Sequence, residues 1–140
     1  MEHERYGLMS TKGGPMFPDL DYDVATAVRA GNLVFLQGQT GYTLDGNGFV
    51  GRGDPAAQAE NAMQCVRTLL ESVGAKMEDI CKVTPYVTKR EYRYLVYPVI
   101  AKHMKGVFPV STGIVCKALA EPYVDFEIDV FAVIPEDRKS

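Results

Sequence analysis

The sequence predicts an α+β domain: a mixed, mostly antiparallel sheet with two helices packed on one of its faces. Three observations carry that prediction. From Tyr123 to Val133 the chain reads YVDFEIDVFAV and alternates strictly, so Val124, Phe126, Ile128 and Val130 share one side of a strand while Asp125, Glu127 and Asp129 share the other. From Asp54 to Val73 the residues Ala62, Met63, Val66, Leu69, Leu70 and Val73 fall on one stripe of a helix. The segments follow in the order strand, strand, helix, strand, helix, strand, strand.

Element by element, Met1 to about Asp21 is punctuated by Gly and Pro and reads as an amino-terminal arm ahead of the domain, which occupies residues 22–135. Asp23 to Val28 and Leu33 to Gln39 are two strands joined by Ala30-Gly31-Asn32, a hairpin signal. Thr43 to Gly53 is turn chemistry, rich in Asp-Gly and Asn-Gly. Its glycines do not read as a phosphate cradle, because the Asp54 carboxylate at the helix start takes the place an anion would want. Gly74 stops the first helix. Asp79 to Thr88 is a strand in which Pro85 implies an edge position or a bulge. Glu91 to Met104 is the second helix, and Pro98 implies either a kink or a start near Tyr97. Val110 to Lys117 and Tyr123 to Val133 are expected to close the sheet as an antiparallel pair, leaving 136–140 as a tail.

A chain of 140 residues with 46% hydrophobic content suffices for one core. It holds no run of about 18 apolar residues, so no membrane span is expected. The amino terminus lacks the apolar stretch of a secretory signal. Cys65, Cys81 and Cys116 are odd in number and far apart, which fits reduced thiols and a cytoplasmic location. A net charge of −3 without a basic stripe weighs against nucleic-acid binding.

The three carboxylates of the last strand stand roughly 7 Å apart and repel, so their face meets either solvent or a cleft in which one of them has work to do. The Tyr-rich run Tyr86, Tyr92, Tyr94, Tyr97 is either a pocket wall or packing between helix and sheet, the second being the commoner outcome. His3 and His103 make no pair for metal binding or acid–base work, and no Ser-His-Asp arrangement is legible. No metal and no cofactor is expected.

Gly31-Asn32 enters a strand that ends Gly38-Gln39, Ala57-Gln58 opens the long helix, Asp79-Ile80 and Lys82-Val83 enter the next strand, and Phe108-Pro109 precedes the closing strands. This ordered set resembles the Rid family, the YjgF-like reactive-intermediate deaminases, over roughly Val24 to Val133. The resemblance implies a chorismate-mutase-like fold, a homotrimer closed around a sheet-lined barrel, and three clefts between neighbouring subunits. It places the family's acidic residue on Glu127 and its small backbone-donating residue on Gly38. The face carrying Ser111 and Gly113 would look into the cleft opposite the acid.

The pattern also departs from the family. Where the enamine-deaminating branch has an Arg that holds the substrate carboxylate, this chain has Ser111; where it has a Tyr on the first strand, this chain has Val24, with Tyr22 nearby. A hydroxyl replaces neither the charge nor the fork of a guanidinium. The substrate is therefore expected to lack a free α-carboxylate there, or another cation, Lys117, Arg90 or Arg93, takes over. Ser111, Thr112, Gly113, Gly38, Gln37 and Tyr22 are the expected substrate-binding residues. Glu127, its pKa pushed up by Asp125 and Asp129, is the expected catalytic acid or base. Gln37 also reads as an ordinary strand polar residue. Two functions follow: a hydrolase adding water to an imine, enamine or related C–N bond of a small metabolite other than 2-aminoacrylate, or a non-catalytic trimer that binds a metabolite in the same clefts.

Overall fold

A computed structural model of the chain describes residues 2–10 and 22–138. The strands are β1 (His3–Tyr6), β2 (Met9–Ser10), β3 (Asp23–Val24), β4 (Ala27–Ala30), β5 (Leu33–Leu36), β6 (Ile80–Val87), β7 (Val110–Ser111), β8 (Ile114–Val115) and β9 (Phe126–Val133); the helices are α1 (Pro55–Ser72) and α2 (Arg93–His103). The main sheet runs β1-β4-β5-β9-β6-β7, with β8 also on β6, and β2 pairs with β3 separately. Both helices cover one face. There the α1 stripe meets Val34 and Leu36 of β5 and Phe126, Ile128, Val130 and Ala132 of β9, all buried.

The hairpin between β4 and β5 has Ala30 opposite Leu33, so Gly31 and Asn32 form a two-residue turn. Gly31 sits at φ 63 and Asn32 does not share the positive sign, the pattern of a type II′ turn that needs glycine first. At the start of α1 the Asp54 carboxylate accepts from the Ala57 amide at 3.1 Å, and Pro55 follows at the first helical position.

Several expectations are corrected. The expected arm is part of the sheet: His3–Tyr6 pairs antiparallel with Ala27–Ala30 as an edge strand, and its charged side chains suit an edge exposed to water. Residues 11–21 lie outside the described segments. The carboxyl-terminal tail is tied down as far as residue 138, since Arg138 pairs with Asp79 and the Asn32 amide donates to Glu136 Oε1 at 2.8 Å. The last two segments do not pair with each other. β7 and β8 run parallel to β6 on one side, and β9 runs antiparallel to it on the other. The reason is connectivity: β6, α2 and β7 form a crossover, and a helical connection returns the chain parallel.

The two prolines resolve in different ways. Pro85 lies inside β6 rather than at an edge, and the neighbouring strand breaks instead: β7 ends at Ser111 opposite Val83, and β8 resumes at Ile114 opposite Tyr86. The gap lies beside the residue that has no N–H to give. Pro98 neither starts α2 nor ends it. The helix continues through it, and because Tyr94 and Pro98 are both exposed, water can serve the carbonyl that Pro98 cannot.

Gln58, fully buried, joins three elements. Its Nε2 donates to the carbonyls of Gly51 (2.8 Å) and Tyr123 (3.1 Å), and its Oε1 accepts from the Asp125 amide (2.9 Å). Replacing it with Leu leaves these backbone groups without partners in the interior. Gln58→Leu is expected to cost roughly 3 kcal/mol in urea unfolding with an unchanged m-value. A loss below about 0.5 kcal/mol, the scale of an ordinary surface change, would refute this role.

Candidate functional site

β9 is buried on alternate residues, so Glu127 and Asp129 project from the sheet face opposite the helices. Opposite them the ladder carries an extra residue. Phe35 pairs with Phe131 and Gln39 bridges Ile128, so Leu36, Gln37 and Gly38 face only Asp129 and Val130. This is a β-bulge beside the acidic pair, a device that re-aims the chain locally. Gly38 occupies it, and a Cβ built there would lie 2.2 Å from Glu127 Oε2 and 3.0 Å from Asp129 Oδ1. Glycine is required because the carboxylates take the space of a side chain.

Glu127 lines a cavity of about 240 Å³ whose walls also include Gln37, Gly38, Thr40, Tyr42 and Val124. Burial raises its pKa first, and the negative charge of Asp129 raises it further. This differs from expectation in its cause: burial outranks like charge, and of the two flanking acids only Asp129 contributes. Asp125 instead accepts from the Thr88 hydroxyl at 2.9 Å. Asp129 accepts from the Tyr86 hydroxyl at 3.0 Å, which raises the Tyr86 pKa.

Of the residues expected at the site, Gln37, Gly38 and Glu127 come together in this cavity. Ser111, Thr112 and Gly113 do not join them within one protomer. They lie two strands away at the exposed sheet edge, with Ser111 in register with the core-facing Val83, and therefore on the helix side. Gly113 packs under α2, where an added Cβ would meet the Tyr97 hydroxyl at 2.1 Å. Tyr22 is exposed and is not part of the cavity wall. Nor are Lys117, Arg90 and Arg93; Arg93 donates to the Arg90 carbonyl instead. Of the Tyr-rich run, Tyr86 faces the acidic pair, Tyr92 packs on the core, and Tyr94 and Tyr97 are exposed. His103 bonds Glu60 at 2.6 Å across the two helices, away from the cavity.

Sequence reasoning missed Tyr42 and Thr40, which come from the segment after Gly38, and Met9 from the amino-terminal segment. A signal was present in Gly41-Tyr42, an aromatic residue three positions after the Gly-Gln strand end. Among the described residues no group of three or more His, Cys, Asp and Glu is placed to hold a metal ion, and no helix is long and apolar enough to cross a membrane.

A small α+β subunit with an acidic cavity beside a bulged central strand is the YjgF type of protein. The chain belongs to the family described as Endoribonuclease L-PSP, whose model matches residues 21–134. A 2-iminobutanoate/2-iminopropanoate deaminase of Dermatophagoides farinae is 27% identical over 100 residues, 71% of this chain and 77% of that protein. The structure of a YjgF-family member from Mycobacterium tuberculosis, 26% identical, superposes with a TM-score of 0.75 over 95% of this chain and all of that one. RidA from an Antarctic Psychrobacter shares the fold, with a TM-score of 0.72 at 22% identity over 79% of this chain and 88% of its own.

Proposed function

We propose that the protein is a Rid-type hydrolase that adds water to the C=N carbon of a small imine, reached directly or from its enamine. The observation that carries this reading is Glu127: a partly desolvated carboxylate of raised pKa, held against Gly38 in the wall of a cavity whose lining is mostly apolar and includes the polar groups of Gln37, Thr40 and Tyr42. Its carboxylate takes a proton from water as the oxygen bonds to carbon. The resulting carboxylic acid returns that proton to the nitrogen, giving a carbinolamine; the same carboxylate then passes the hydroxyl proton to the nitrogen as the C–N bond breaks, so that ammonia leaves and a carbonyl product remains. One group can act as base and then acid when its pKa lies nearer the working pH than that of an exposed Glu. The similarity to an imine deaminase supports this chemistry. A ribonuclease reading has less to stand on, since neither His3 nor His103 lines the cavity.

The site is completed between copies of the chain. The open sheet face exposes Leu33, Phe35, Phe131 and Val133, with Phe35 and Phe131 edge-on at 5.5 Å; Val110 of β7 is 66% exposed, and Phe108, just before that strand, is 91% exposed. Apolar surface on this scale calls for cover. A homotrimer supplies it, and the edge of one protomer then brings Ser111, Thr112 and Gly113 to the Glu127 cleft of the next.

The test is ammonia release from a panel of imines and enamines generated in situ, measured above spontaneous hydrolysis. Turnover of a member lacking an α-carboxylate supports the reading. No turnover of any member, together with ligand-dependent thermal stabilisation, would overturn it in favour of a binding protein. Ser111→Arg is expected to improve kcat/KM for α-imino acids at least about tenfold by restoring a bidentate carboxylate contact. An unchanged value would show that residue 111 does not face the cleft.

A further inference from the structure

Tyr42 has a second cavity on its other side, also of about 240 Å³, walled by Tyr42, Gly46, Gly48, Phe49, Arg52 and Tyr123. Tyr42 and Gly46 line both spaces, so the two adjoin. The Phe49 ring stands edge-on to Tyr42 at 4.9 Å and to Tyr123 at 4.8 Å, and the two tyrosine hydroxyls hydrogen-bond to each other. Over this aromatic corner lies Arg52, its guanidinium carbon 3.8 Å from the Tyr123 centroid and 5.9 Å from that of Phe49.

We propose that Arg52, stacked on Tyr123 and backed by Phe49, receives a ligand carboxylate in a cavity that adjoins the Glu127 cleft across Tyr42. A guanidinium whose carbon stands 3.8 Å from a ring centroid is held by the ring and keeps its N–H groups, whose fork matches a carboxylate bidentately. Among the described residues no hydrogen bond or ion pair engages that fork. Glu121 acts on the Tyr42 hydroxyl but forms no ion pair with Arg52.

The corner is held from behind. Gln58 grips the carbonyls of Gly51 and Tyr123, the residues on which Arg52 and its ring platform depend. One helical turn on, Asn61 donates to the Tyr42 carbonyl at 2.9 Å. Gly51, at φ 86, lies so close to α1 that an added Cβ would meet the Gln58 amide at 2.8 Å. A preorganised cation loses less on binding than a lysine on a free stem.

This inference rests on the hydrolase reading for one consequence: the substrate carries its carboxylate remote from the C–N carbon, the Ser111 position no longer being the anchor. The probe is benzoate, with neutral benzamide as its isostere, in calorimetric titrations. Benzoate is expected to bind at least about tenfold tighter than benzamide. Arg52→Gln is expected to abolish that preference without changing benzamide binding, and Arg52→Lys to recover only part of it. With a carboxylate-bearing imine, Arg52→Gln is expected to raise KM and leave kcat. Equal binding of benzoate and benzamide, or a preference that survives Arg52→Gln, would overturn the assignment. Glu127→Gln is expected to leave benzoate binding intact. A titration that succeeds while this variant still turns over would therefore remove the hydrolase reading and keep the Arg52 site.

Discussion

Glu127→Gln is expected to lower ammonia release by about 10³-fold while the protein becomes more stable. The amide keeps the shape and still fits beside Gly38, but it neither takes a proton from water nor returns one, and general acid–base catalysis is worth about 10²–10⁴ in rate. Stability moves the other way because the native state holds this carboxyl under desolvation and beside Asp129, both of which disfavour its charge. A raised native pKa means that the folded protein binds the proton more tightly than the unfolded chain does. The contribution of Glu127 to wild-type stability is therefore fully present below the ordinary Glu range and is lost as pH rises through the raised native pKa. The Gln variant lacks that decline and is expected to be the more stable protein at neutral pH, a trade between stability and function. Ammonia release within about threefold of wild type, far short of what acid–base catalysis supplies, would remove Glu127 from the chemistry.

The second large effect is expected from Gly38→Ala. Its methyl group would stand 2.2 Å from Glu127 Oε2, so the carboxylate must swing away or the bulge must open. A displacement of about one ångström at a reacting group can cost about 10²-fold in rate, and a loss of that size in kcat/KM is expected with the fold retained. The two substitutions act through the same oxygen. In a Glu127→Gln background, Gly38→Ala should therefore cost little further activity. Additive losses would mean that Gly38 acts independently, for example through its own backbone toward the ligand.

The same two residues show what a sequence discloses. Alternation along Tyr123 to Val133 separated core from carboxylates correctly, because strand geometry fixes which residues share a face. The stripe of α1, the Asp54 cap and the Gly31 turn were legible for the same local reason. Strand neighbours were not, since periodicity is blind to which distant segment pairs with which, and the closing strands were assigned to each other when β6 in fact stands between them. The register of Ser111 opposite Val83 likewise follows from the pairing with β6 and not from the local sequence. His3–Tyr6 was missed because four mostly charged residues carry no apolar pattern; only the register with β4 makes them a strand. The aromatic corner of Tyr42, Phe49 and Tyr123 lay in turn-like sequence, where the clamps from Gln58 and Asn61 cannot be foreseen.

The place of β9 has a consequence for biosynthesis. It follows the other described strands in chain order, yet it lies between β5 and β6, which pair with nothing but each other's common neighbour along that seam. Until it emerges, the nascent polypeptide holds two half-sheets with open inner margins, each a template for pairing with a stranger. The main sheet therefore closes only once β9 is available, and β9 is its keystone. A ribosome stalled before residue 126 is expected to present a chaperone client rather than a half-made domain.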